Sequence, residues 1–170
     1  MEDPHKTMNV NNRLTPIYTF PLILIQNSGG RNFQTQERKK IDTTEFPDGV
    51  GAYVIRYLNY PIPRFIKTSP ILKIGCTKDS FKGRFKNYNN QSDMTLPGVN
   101  LYEQLKVRSQ KTNVRIMHFL AHNKHQDEIV IDFYLSTSDN EKSPEALEHE
   151  LIRNYLEVHG ELPPLNFGMK

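Results

Sequence analysis

Glu148 stands where a surface helix does not place a carboxylate. The run from Ser143 to Gly160 has the marks of a capped helix. Ser143 can serve as the N-cap, Pro144 suits the first helical position, Gly160 is a stop, and Pro163-Pro164 prevents the helix from resuming. At about 100° per residue, Leu147, Leu151, Ile152, Tyr155 and Val158 share one face, and Glu148 falls in its middle. Glu150 groups with Arg153, Asn154 and Glu157 on the polar face, which predicts a surface residue. A carboxylate aimed into an apolar face needs a partner, and a metal ion is one of few good ones. Glu148 is therefore the expected metal ligand. A carboxylate with oxygen-rich neighbours suits Mg²⁺, which keeps most of its waters.

The charge pattern points to the other half of such chemistry. The 170-residue chain carries a net charge of only +3. Residues 56–116, however, hold twelve Lys/Arg against three Asp/Glu, while residues 117–170 hold four against ten. Tyr57, Tyr60, Phe65, Phe81, Phe85, Tyr88 and Tyr102 are interleaved with the basic block. Clustered cations with aromatics are the footprint of a protein that meets a nucleic-acid backbone. Within the block, Arg84 offers a guanidinium able to bridge two phosphate oxygens. Tyr88 lies four residues on and shares its helix face. Lys78, Lys82 and Lys86 are expected to bind such a backbone.

The elements that must position these groups read as an α+β pattern. Ile17–Ile25 is a strand-like run with an edge or bend at Pro21, and Asn27–Arg31 is a break. Residues 36–40 read as a short helix or a loop. Gly51–Leu58 alternates as a strand, with Tyr53, Ile55 and Tyr57 on one face and Ala52, Val54 and Arg56 on the other. A Pro-rich connection leads to a second strand, Ile71–Gly75. Asp79-Ser80 then caps a short basic helix over 81–88, and 89–98 reads as a loop. A helix is predicted at 102–109, and strands at 114–120 and 128–135. No apolar run is long enough to span a membrane, no secretory signal is visible, and the single cysteine excludes an internal disulfide. A cytoplasmic setting is the simplest expectation.

Taken in order, Gly51-Ala52-Tyr53, Lys73-Ile74-Gly75, Arg84 and the Glu148…Asn166 pair resemble the GIY-YIG nuclease domain. The resemblance covers about residues 50–90 and 143–166. It implies a small central, mainly antiparallel sheet flanked by helices, with residues 1–48 forming an N-terminal arm and edge strand. Residues 49–170 would form the nuclease domain, with an insertion at about 89–135. It implies hydrolysis of DNA phosphodiesters with one divalent metal, Mg²⁺, per site. Tyr53 would be the general base, Arg84 would neutralise the phosphate, and Tyr88 would contact the phosphate or the water. Glu148 would hold the metal and Asn166 would buttress the site. Lys73 departs from the family's usual tyrosine, which points to Tyr53 as the base, with Lys73 orienting the water and stabilising a Tyr53 phenolate.

Other arrangements are weaker. No cysteine or carboxylate completes a tight metal cluster around His118, His122 and His125. No His/Asn partner equips Cys76 as a nucleophile. A small stand-alone domain resembles a type II restriction endonuclease, cutting double-stranded DNA as a homodimer. The arm and the loops around 89–100 would read bases. The alternatives are a mobile-element or repair nuclease, and a catalytically dead DNA-binding protein of the same fold.

Overall fold

Two strands carry almost nothing but buried residues, and that fixes the layering around them. In β4 (Gly51–Tyr57) and β7 (Ile71–Thr77), six of the seven residues are buried. A strand covered on both faces needs a layer on each side. The computed structural model describes residues 14–27, 37–139 and 141–166. It shows an α+β architecture with an antiparallel four-stranded sheet in the order β1-β8-β4-β7, where β1 is Tyr18–Pro21 and β8 is Ile129–Leu135. No helix among the described residues is long and apolar enough to cross a membrane.

The alternation read from the sequence holds. Tyr53, Ile55 and Tyr57 join a core under α1 (Phe81–Asn89) and α3 (Lys111–His122). Ala52 and Val54 join Ile74, Leu147, Leu151, Ile152 and Tyr155 on the opposite face, beneath α4 (Pro144–His159). The caps of α4 also fall where expected: the Ser143 side chain accepts from the Ala146 N–H, and Gly160 closes the helix at φ +69°. Ser80 caps α1 by accepting from the Gly83 N–H.

Several sequence expectations need correction. The stretch 114–120 is part of helix α3, not a strand. Its β-branched Val114 and Ile116 imitate alternation, but Asn113, Ile116, Met117 and Leu120 are buried at helical spacing. The run 17–25 is broken after Pro21: β2 (Leu24–Gln26) leaves the main sheet and pairs with β3 (Lys39–Ile41), which overlaps the segment read as helix or loop. Within 89–135, the strand expected at 128–135 is β8, which pairs with both β1 and β4. β1 lies at one edge of the sheet, and arm residues 1–13 and most of the break at 27–31 lie outside the described residues.

Between β4 and β7 a small hairpin, β5 (Ile62–Pro63) and β6 (Thr68–Ser69), fills the Pro-rich connection. The α2 helix (Leu101–Val107) buries no side chain fully, but the loop before it is held down. Met94 is fully buried, and Asp93 and Gln91 both accept from Arg108.

The outer edge of β7 is where the C-terminal segment docks. Leu165 N–H donates to the Leu72 carbonyl at 2.9 Å. The Asn166 amide then does the work of a neighbouring strand for Ile74, accepting from its N–H at 3.0 Å and donating to its carbonyl at 2.9 Å. Asn166→Ala strips the Ile74 N–H of its partner and leaves its carbonyl to Lys73 Nζ alone, and should destabilise the fold by about 1–2 kcal/mol, read as a lowered denaturation midpoint.

Candidate functional site

The edge of β7 next to this clip is open and forms the floor of a cleft of about 760 Å³. Lys73, Arg84, Glu148 and Asn166 all line it. The sheet separates the helices they come from: α1 brings Arg84 round one side of the edge strand, and α4 brings Glu148 round the other. Of the six catalytic residues expected from the sequence, four reach this cleft directly. The other two, Tyr53 and Tyr88, lie behind Arg84.

Tyr53 sits at the centre of β4 and is fully buried. Its position depends on Gly75, its register partner on β7. A Cβ on Gly75 would come within 2.5 Å of the Tyr53 ring carbon and hydroxyl. Gly75→Ala should therefore push the phenol out of place at a cost of about 1–3 kcal/mol. The expected result is a lowered melting temperature and loss of any activity that needs Tyr53.

The Tyr53 hydroxyl is hydrogen-bonded to the Tyr88 hydroxyl and receives Arg84 Nε at 3.2 Å. Arg84 Nη2 donates to the Tyr88 hydroxyl at 3.4 Å. Burial pushes the Tyr53 pKa above its ordinary value, while the Arg84 charge pulls it down. Burial raises Tyr88 well above its ordinary value too, and the neighbouring Tyr53 adds to the rise. One cation is thus shared by two buried phenols.

Two expectations change here. Tyr88 is fully buried, with its hydroxyl directed to Tyr53, so in this arrangement it supports Tyr53 and does not reach out to a phosphate. Lys73 is 6% exposed and pairs in register with Ile55, two residues from the Tyr53–Gly75 pair. Its Nζ donates to the Ile74 carbonyl at 3.3 Å. The cation on the Tyr53 hydroxyl is Arg84.

Glu148 is half-buried, and its Oε2 accepts from Cys76 Sγ at 3.1 Å. Cys76 lies on the α4 face of β7 beside Ile74, a contact the strand alternation could have predicted. Glu150 is on another face, as expected, but it is partly covered and paired with Lys142. No group of three or more His, Cys, Asp or Glu side chains among the described residues could hold a metal ion. A single carboxylate opening into a polar cleft does not suit zinc, but it does fit Mg²⁺, which takes one or two carboxylates and keeps its waters. Among the histidines, His118 lies against His122, and His125 pairs with Glu128.

A second groove, of about 580 Å³, runs along α1 and meets the first at Cys76, Arg84 and Asn87. Lys78 and Lys86 line it. Lys78 is paired with Glu145, and Lys82 with Asp48 at 3.3 Å. Both pairs are exposed, so they are weak enough to be exchanged for phosphate. In the loop expected to read bases, Asn89 is instead spent on the Ile41 backbone, which it bonds at 2.7 and 3.0 Å. Thr95 accepts from the Lys39 N–H. Asn90 remains exposed in the second groove.

The sequence reading missed the far wall of the first cleft, formed by Ser109–Asn113 at the start of α3. The signal was lost when 114–120 was read as a strand, because the residues before it then had no helix to belong to. Comparison of the chain with protein-family models, with curated proteins and with solved structures gave no match.

Proposed function

We propose that this protein is a metal-dependent endonuclease of double-stranded DNA, of the GIY-YIG kind, that cuts at a specific sequence as a homodimer. The observation that carries the reading is the meeting of Arg84 and Glu148 at one open strand edge, with the Tyr53 hydroxyl directly behind Arg84, from three elements far apart in sequence. Phosphodiester hydrolysis needs an activated water, relief of charge on the phosphate and help for the leaving oxygen. These residues match those needs.

Arg84 covers the Tyr53 hydroxyl. A phosphate in the cleft offers the guanidinium a stronger, charged acceptor. As Arg84 turns toward it, the Tyr53 oxygen is uncovered, and in its phenolate form it can take a proton from the attacking water and become the neutral phenol. Tyr88 stays hydrogen-bonded to Tyr53 and steadies the phenolate before it takes the proton. Glu148 would hold Mg²⁺, which when bound supplies Lewis-acid stabilisation of the leaving 3′-oxygen. Lys73 orients water from the floor of the cleft. Lys78, Lys82 and Lys86 extend a positive surface along the backbone.

Plasmid incubation with the purified protein and Mg²⁺ tests the proposal. Discrete fragments of constant length are expected. Nicks or structure-dependent cuts would instead favour a repair or mobile-element nuclease. DNA that is bound and left intact would indicate a dead nuclease fold.

A further inference from the structure

The cleft is larger than one phosphodiester requires. At about 760 Å³ it lies within the range of pockets that enclose a drug-sized ligand, roughly the bulk of a dinucleotide. Beyond Arg84 and Glu148 it continues along Ser109, Gln110, Lys111 and Thr112. That stretch holds one ammonium and three neutral hydrogen-bonding side chains, with no carboxylate. Such a wall attracts an anion and has little to offer a cation.

Lys111 differs from most of the lysines around it. Lys78, Lys82, Lys106 and Lys142 each face a carboxylate. Lys111 is exposed and enters no ion pair among the described residues. The same holds for Lys86, in the groove on the other side of Arg84. The two grooves join at Arg84, so the path runs from Lys86 past Arg84 to Lys111. The wall is also braced: Arg115, on the next turn of α3, donates to the Pro164 carbonyl at 3.0 Å, and Asn113 donates to Gln110 at 2.9 Å.

We infer that Lys111, with Ser109 and Thr112, binds the backbone phosphate next to the one being cut, opposite Lys86, so that the strand is gripped on both sides of Arg84. The inference rests on the nuclease reading above and gives the start of α3 a place in substrate binding. Each lysine–phosphate contact releases condensed counterions, so it has a measurable signature in salt dependence.

The experiment uses the full-length protein in EDTA, where nothing is cut, and a labelled DNA duplex followed by fluorescence anisotropy from low to moderate salt. Lys111→Gln should weaken binding several-fold and reduce the slope of log K against log salt by about 0.9 per cleft. Lys124→Gln, at an exposed lysine beyond the far end of α3, should change neither. Wild-type binding with an unaltered slope in Lys111→Gln overturns this inference and leaves the nuclease reading intact. Failure of the wild-type protein to bind duplex DNA overturns both.

Discussion

Replacing Glu148 with alanine should abolish cutting, while replacing Glu150 should not. The two glutamates are two residues apart on one helix, so sequence position alone hardly separates them. Their surroundings do. Glu148 opens into the cleft that also holds Arg84 and Lys73, with Cys76 Sγ on its carboxylate. Glu150 is paired with Lys142 on another face of the helix. If Glu148 holds the metal, its loss should lower the single-turnover rate by on the order of 10³-fold or more. Glu150→Ala should stay within a few-fold of the parent, and its melting temperature should move little, because a partly exposed pair contributes about 1 kcal/mol at most. The reverse outcome, with Glu150 essential and Glu148 dispensable, would remove the metal ligand from the proposed site.

Tyr53→Phe is the second large effect. The ring is packed between Phe85 and Gly75, so the variant keeps the apolar contacts and loses only the hydroxyl. Arg84 still reaches Tyr88, which limits the structural cost. The expected loss is about 10²–10⁴-fold, the usual contribution of a positioned general base. The pH profile gives a sharper readout. Burial holds the phenol above its ordinary value of 10.0, so near neutral pH it is almost wholly protonated. Each rise of one pH unit therefore gives about ten times more phenolate, and the rate carried by Tyr53 should climb with a slope of about 1 through the neutral and mildly alkaline range. Tyr53→Phe should lose that slope. A variant that is slower but keeps the parent's slope would mean that some other group supplies the base.

Much of this arrangement was legible in the sequence, and the gaps have physical causes. The α4 helix could be read almost to the residue, because Ser143, Pro144 and Gly160 are strong local signals and the apolar stripe repeats over four turns. Glu148 stood out against that stripe. The alternation in β4 correctly predicted which side chains face each helix layer. Residues 114–120 were misread because a buried helix rich in β-branched residues resembles a strand over short windows. That one error hid the wall of the cleft at 109–113.

The pairing of residues across layers was not legible at all. Nothing local says that the Asn166 amide would satisfy Ile74, or that Arg84 would lie on the Tyr53 hydroxyl while Lys73 points along its own strand edge. Those contacts are set by register. A two-residue offset between Lys73 and Gly75 opposite β4 decides which cation meets the phenol.

The most direct measurement is hydrolysis of a duplex DNA substrate by purified wild-type protein, with Mg²⁺ and with EDTA, followed by analysis of the ends produced. The predicted result is cleavage only with the metal, leaving 5′-phosphate and 3′-hydroxyl ends, and none from Glu148→Ala. Cleavage that persists undiminished in EDTA, or DNA that stays uncut when Mg²⁺ is supplied, would contradict it.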